Sequence, residues 1–378
     1  MVHRRIRRAA VALLLGAAVT ACAGGPAANR ASDTPAPTED ATTSSPPTTT
    51  TPPPDNEPGE TTPAPVPTQE ELEPAAATGT ATVVAEHPLT DIADPWGLTV
   101  LPTSGDLLVG SRTTGKIYRV AQDTGDITEI GTAASQAAGE GGLLGLAAAD
   151  NSFFFAYYTT ESESRVVRSA YQEGKPEGQQ METSGRLTGL PWGDMRVGGA
   201  LLLTPDGTLY AGVGDFGDSS AGKILKSPDA LDASWNPQLP DTEVLAGTHG
   251  SVEGLAFDAG GHVWEVGRGE DDSAVLALAG SEETLHLWTG GAVPSGLAYT
   301  PQRCLWVSMA DGSLWRVPLD NTELVATPQV VLNVATDPPP ELSGEYLGLR
   351  SPAAVGEDTL WVLATGGGGT SLLKLSVS

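Results

Sequence analysis

One pattern returns six times between residues 95 and 377 of this 378-residue chain, and that periodicity restricts the fold more than any single residue does. PWGLTVLPTSGDLLVGSRTTGKIYRV at 95–120, GGLLGLAAADNSFFFAYYTTESESRVVRSA at 141–170 and GGALLLTPDGTLYAGVGDFGDSSAGKILKS at 198–227 set it. EGLAFDAGGHVWEVGRGEDDSAVLALA at 253–279, SGLAYTPQRCLWVSMADGSLWRVPL at 295–319 and SPAAVGEDTLWVLATGGGGTSLLKLSV at 351–377 continue it. Each copy holds a small-apolar strand, a turn, a second strand that often carries an aromatic, a Gly- or Asp-bearing turn and a third strand. The copies start 42 to 57 residues apart, the spacing of propeller blades rather than of helical solenoids. An all-β, six-bladed β-propeller is therefore expected. Val83 and Val84, ahead of the first copy, are expected to add an outer strand to the last blade, so truncation at either end should destabilise the whole ring.

The residues before the ring read differently. Arg4, Arg5, Arg7 and Arg8 precede an apolar run from Ala9 to Thr20, too short to span a bilayer as a mature helix and built like an export signal. Val19-Thr20-Ala21-Cys22 closes it and resembles the bacterial lipobox, which implies acylation of Cys22. Residues 23–78 then hold 13 of the chain's 30 prolines, long Thr runs and no aromatic residue. Such a segment buries too little apolar surface to offset the entropy of ordering, so a disordered, partly polyproline spacer is expected. The domains are thus read as 1–21 lipoprotein signal peptide, 22–78 Pro/Thr-rich linker and 79–378 propeller, held at the extracytoplasmic face of a bacterial membrane through the N-terminal lipid only.

Charge narrows the partners. With 20 Lys and Arg against 47 Asp and Glu the formal net charge is −27, which repels nucleic acid and anionic lipid. The one cysteine beyond Cys22 is Cys304, set in Cys304-Leu305-Trp306-Val307, where a buried thiol is expected and no disulfide framework exists.

DPWGL…GDLLVGSRTTGKIYRV, GEGGLLGLA, VGGALLLTPDGTLYAGVGD…GKIL and EGLAFDAGGHVWEVGRGEDD together resemble the soluble aldose dehydrogenases that use pyrroloquinoline quinone (PQQ), the glucose/sorbosone dehydrogenase family. The likeness runs in order through 80–378. It implies a quinone and a calcium ion at the propeller axis and a histidine base that takes a proton from the sugar.

Carried over residue by residue, the resemblance places Arg196, in Arg196-Val197-Gly198-Gly199-Ala200-Leu201, where the family has its base. Arginine has no acceptor and stays protonated, so there it is a carboxylate or anion partner instead. Asp215 ends the same hairpin near the cofactor, as a substitute base or a turn cap. Glu140 stands where the family has a sugar-contacting Gln, and keeps acceptors while losing amide donors. His249 remains from a motif whose Arg-Asn pair is gone. Gly267 and Arg268 match the pair whose main-chain carbonyls ligate calcium, followed by the acidic Glu270, Asp271 and Asp272. Arg350 is the surviving one of two quinone-clamping arginines, and Arg112 has a structural role.

Two function classes follow from these residues. One is a lipid-anchored quinoprotein that oxidises an aldose or related carbohydrate with PQQ and calcium, its base altered to Asp215 or Glu140. The other is a ring that binds a glycan, a small molecule or an envelope partner at its axis without chemistry.

Overall fold

A computed structural model describes residues 73–149, 152–190, 197–214, 222–245, 250–269 and 273–378. Within them six antiparallel sheets follow one another, and each of the six sequence repeats supplies the three inner strands of one. The innermost strands are Pro95–Val100, Leu143–Ala148, Gly198–Leu203, Ser251–Phe257, Pro294–Thr300 and Gly348–Val355. The expected six-bladed all-β propeller is the fold. Among the described residues the one helix is a 3₁₀ turn, Leu239–Asp241, and none is long and apolar enough to cross a membrane.

A fourth, outer strand completes each blade, and this the three-strand repeat did not contain. It is Ile127–Thr132 in blade one and Thr284–Trp288 in blade four. In blade six it comes from the other end of the chain: Ala81–Pro88 pairs antiparallel with Gly369–Val377, from Ala81 opposite Val377 to Pro88 opposite Ser371. The strand expected from Val83 and Val84 thus closes the ring. Val83 is buried and Val84 is exposed, the alternation of a strand with one covered face. Residues 73–78, read from sequence as the end of the linker, lie along blade five, where the Ala75 amide donates to the Leu319 carbonyl at 2.9 Å and Ala75 is buried.

The core lies between blades, because each sheet buries both faces against its neighbours. Six apolar clusters correspond to the six seams. Leu108, Ile117, Phe154 and Ala156 join blades one and two; Trp264, Leu276, Leu305 and Val317 join blades four and five. The closing seam brings Leu107, Val109 and Val120 of blade one against Trp361, Leu363 and Leu372 of blade six. Each large aliphatic side chain buried there contributes on the order of 2 kcal/mol from apolar area alone. At the axis the blades approach too closely for side chains: a Cβ on Gly145 would lie 2.0 Å from the Gly199 carbonyl oxygen, and one on Gly254 would lie 2.5 Å from the Leu297 amide. Cys304 is buried and unpaired, and burial pushes its thiol pKa up, as expected of an inert packing residue.

Candidate functional site

All six innermost strands break register at the same place. The pairing with the second strand slips by one residue between Pro95 and Leu98, Leu143 and Gly145, Gly198 and Leu201, Val252 and Gly254, Pro294 and Gly296, and Arg350 and Ala353. A bulge of this kind bends a strand and re-aims one side chain. Repeated around the ring, the six bulges surround the mouth of an axial cavity of about 120 Å³. Trp96, Leu144, Glu253, Ser295 and Ser351 stand at the bulges and line it. Two of them also join blades: Ser351 Oγ donates to the Trp96 carbonyl at 2.8 Å, and Ser295 Oγ donates to the Leu349 carbonyl. Ser351 takes φ of 50°, a left-handed conformation that costs a non-glycine residue about 1 kcal/mol or more and persists because its surroundings hold it.

The polar lining is dominated by arginine. Arg350, from blade six, lies with its guanidinium carbon 3.5 Å from the centroid of the Trp96 ring of blade one. Its Nε is buried with no hydrogen-bond partner among the described residues. Burial pushes the Arg350 pKa down to about 10; Arg112 and Arg268 act in the same direction, and Asp94 and Glu253 oppose them. It is still a cation at neutral pH. Arg112 also lies over Trp96, at 4.8 Å, but is engaged by Asp94 Oδ2 at 2.9 Å and by the Gly139 carbonyl at 3.2 Å, consistent with its expected structural role.

Arg268 reaches the mouth from the second strand of blade four. Its Nε is 3.3 Å from Glu253 Oε1 and its Nη1 is 3.6 Å from Glu140 Oε1. The Glu253 contact is an ion pair by distance but off the line of a hydrogen bond, since Arg268 Nε is buried without a hydrogen-bond acceptor among the described residues. Glu253 accepts from Ser251 Oγ at 2.7 Å. Burial raises its pKa; Arg268 and Ser251 draw it down, Glu140 pushes it further up, and the net shift is upward.

Of the residues singled out from sequence, the structure therefore brings Arg350, Arg268 and Glu140 to one mouth. Gly267 lies on the same strand as Arg268, Val263–Arg268. Arg196, Asp215, His249, Glu270, Asp271, Asp272 and Cys22 lie outside the described residues. Sequence reasoning missed Trp96 and Glu253. Their signal was present: in PWGL, LLGL, VEGL and PSGL the residue before Gly-Leu varies while the Gly-Leu repeats. That variable position is the bulge.

The residues can be tested against a quinone and a metal. A carboxylated quinone needs cationic donors in a water-poor recess, and Arg350, with an unfilled buried Nε, fits one carboxylate. Calcium needs six to eight oxygen ligands. Among the described residues no group of three or more His, Cys, Asp or Glu is placed to hold a metal ion. The Arg268 carbonyl accepts the Gly250 amide at 2.7 Å, while its guanidinium brings positive charge to the same mouth. The described residues do not fit a calcium ion. At the opposite end of the axis a second cavity, of about 420 Å³, is lined by later residues of the same strands, with no charged side chain among them.

The sequence profile for glucose/sorbosone dehydrogenases matches residues 92–278. Among solved structures, the PQQ-bound form of the aldose sugar dehydrogenase from Streptomyces coelicolor is 32% identical over 80% of this chain and 100% of its own, with a TM-score of 0.68. The apo form of the soluble aldose sugar dehydrogenase from Escherichia coli is 15% identical over 80% of this chain and 99% of its own, with a TM-score of 0.57. The holo PQQ domain of a pyranose dehydrogenase from Coprinopsis cinerea is 11% identical over 79% of this chain and 96% of its own, with a TM-score of 0.56. These last two likenesses are of fold. No curated protein sequence matches the chain.

Proposed function

Because the chain belongs to the glucose/sorbosone dehydrogenase family of PQQ-dependent aldose sugar dehydrogenases, we propose that its axial mouth binds pyrroloquinoline quinone and takes an aldose or related carbohydrate as substrate. The observation that carries this reading is Arg350, a cation at the rim of the axial cavity held over the Trp96 ring with a buried donor unfilled. A stacked partner leaves the guanidinium's in-plane donors for a ligand, whereas a carboxylate partner would occupy them.

When bound, the quinone supplies the two-electron acceptor chemistry. The chain supplies charge, orientation and a proton acceptor. Arg350 holds a carboxylate of the ligand by charge-assisted hydrogen bonds. The narrow inner end of the mouth, walled by Gly97, Gly145 and Gly254, limits how deep a ring system can sit. Glu140, at the rim beside Arg268, is the described carboxylate that accepts a sugar hydroxyl proton; Asp215 is the second candidate, and Arg196 and His249 contact the anionic ligand. We also propose that residues 1–22 export the chain and anchor it through lipid on Cys22, with the Pro/Thr-rich spacer holding the ring outside a bacterial membrane.

One observation favours a second reading, a ring that binds an axial ligand without turning it over. Arg196 stands at the base position and has no acceptor. Quinone binding followed by absorbance, together with aldose-dependent dye reduction, separates the readings. Binding with turnover supports the oxidoreductase, and binding without turnover supports the second reading. Absence of any binding at micromolar quinone overturns the dehydrogenase proposal. In the case without turnover, sugar oxidation recovered by Arg196→His identifies a decayed site. Arg350→Gln is expected to weaken quinone binding by about tenfold or more, and Arg350→Lys by less.

A further inference from the structure

We propose that the Arg268 guanidinium is itself the positive charge that meets the ligand on the blade-four side of the axial mouth, so that this site takes a carboxylate-bearing ligand without a divalent cation. The inference rests on the quinone reading above and deepens it.

Four observations support it. The first is position: Arg268 lines the axial cavity together with Arg350, and lies close enough to help lower the Arg350 pKa. The second is an unfilled donor. Arg268 Nε is buried, its contact to Glu253 at 3.3 Å is off-line, and a ligand carboxylate in the cavity supplies the acceptor that the described residues do not. The third is the state of the backbone. Arg268 ends the strand Val263–Arg268, paired with Ser251 on one side and Ala274 on the other, and its carbonyl already accepts the Gly250 amide. The fourth is that, among the described residues, no group of three or more His, Cys, Asp or Glu is placed to hold a cation, and the two carboxylates beside this guanidinium, Glu253 and Glu140, are already engaged by it.

The sequence gives the charge its meaning. The resemblance reads the pair Gly267-Arg268 for its main-chain carbonyls, whereas the side chain of Arg268 is what delivers a charge there. Glu253 and Glu140 then act as holders. They flank the guanidinium from the inner strand of blade four and from the loop that enters blade two, and fix it at the mouth in the absence of ligand.

The test uses the full chain and PQQ itself, with binding read from quenching of tryptophan fluorescence in millimolar EDTA and in millimolar calcium chloride. The two dissociation constants are expected to agree within about threefold, and Arg268→Gln is expected to weaken binding by about tenfold or more in both buffers. Removing Arg268 leaves Glu253 buried without its partner, so the double variant Arg268→Gln/Glu253→Gln, which removes both charges, is measured alongside and its melting temperature compared with the wild type. Loss of quinone affinity in the well-folded double variant supports the proposal; affinity kept in both variants overturns it. Binding that appears only with calcium overturns it too, while leaving the quinone reading intact. No binding in either buffer defeats the quinone reading and this inference with it. In the absence of quinone, calcium is expected to leave the melting temperature unchanged, and a clear upward shift that Arg268→Gln enlarges would also count against it.

Discussion

Three tryptophans occupy the same place in consecutive blades and differ in one hydrogen bond. Trp264, Trp306 and Trp361 each sit opposite an alanine of the inner strand, Ala256, Ala298 and Ala353. All three are fully buried. Two residues beyond the alanine, Asp258 Oδ2 accepts the Trp264 indole N–H at 2.8 Å and Thr300 Oγ1 accepts that of Trp306 at 3.0 Å. In blade six that position is Val355, and Trp361 Nε1 has no partner among the described residues. Val355→Thr should supply the missing acceptor and raise stability by about 1 kcal/mol, seen as a higher urea midpoint with unchanged slope. No gain, or a loss, would mean that Val355 contributes more by packing against Trp361 than the indole N–H loses by going unfilled. The repeat phase that aligns GLAFD, GLAYT and SPAAV was legible in the sequence; the unmet donor was not, because it exists only once strands are paired. Trp96 shows the same limit. Arg350 was expected from sequence to be a ligand contact, but the ring it lies over is 254 positions earlier in the chain, and only closure of the propeller brings blade six to blade one. Glu253 was passed over because strict strand alternation hides a residue that a bulge turns toward the axis.

Among the elements, the outer strands were the least legible. They are short, half-exposed and polar, as in ITEIGT at Ile127–Thr132, so they carry little of the apolar alternation by which the inner strands were recognised. The strand Ala81–Pro88 was recognisable by its two valines, yet its fixing contacts are polar. Glu86 accepts from the Ser343 amide at 2.7 Å, from Ser343 Oγ at 2.9 Å, from Ser371 Oγ at 3.3 Å and from the Tyr346 hydroxyl. His87 stacks on Trp361 at 5.6 Å. One glutamate thereby ties the closing strand to the loop that leads into blade six. Burial raises its pKa, but hydrogen bonds from Tyr346, Ser343 and Ser371 outweigh this, and the net shift is downward. The Tyr346 hydroxyl is correspondingly pushed up to about 12, by burial first and by Glu86 second. A carboxylate depressed in the folded state binds fewer protons there than in the unfolded chain between the two pKa values. Its stabilisation is therefore full above the ordinary glutamate pKa and is lost as pH falls through the folded value. Glu86→Gln should lower stability at neutral pH and flatten the loss below about pH 4 relative to wild type, as measured by urea unfolding at both pH values. Parallel curves for the two proteins would place the acid sensitivity elsewhere.

For the whole molecule the decisive contrast is between its net charge and its mouth. The chain carries −27, yet Arg112, Arg268 and Arg350 converge at one end of the axis, while the lining at the other end is uncharged. Net charge acts over distances that salt shortens to about 8 Å at physiological ionic strength, whereas a pair formed inside a partly buried recess is screened far less. A carboxylated ligand such as the proposed quinone therefore meets two fields in succession: repulsion from the acidic surface on approach, then attraction within the last few ångströms. Their salt responses are opposite in sign, so kinetics separates them where affinity alone does not. The association rate is expected to rise several-fold as ionic strength goes from about 10 mM to about 150 mM, because screening removes the long-range repulsion first. The dissociation rate is expected to change by less than about twofold over the same range, because Arg350 and Arg268 are largely enclosed. Stopped-flow mixing with PQQ at several salt concentrations reads both rates. An association rate that falls with salt would show that the three arginines steer the ligand from a distance despite the acidic surface, and the same series on Arg112→Gln, whose guanidinium lies over Trp96 but is engaged by Asp94, would then locate the steering charge.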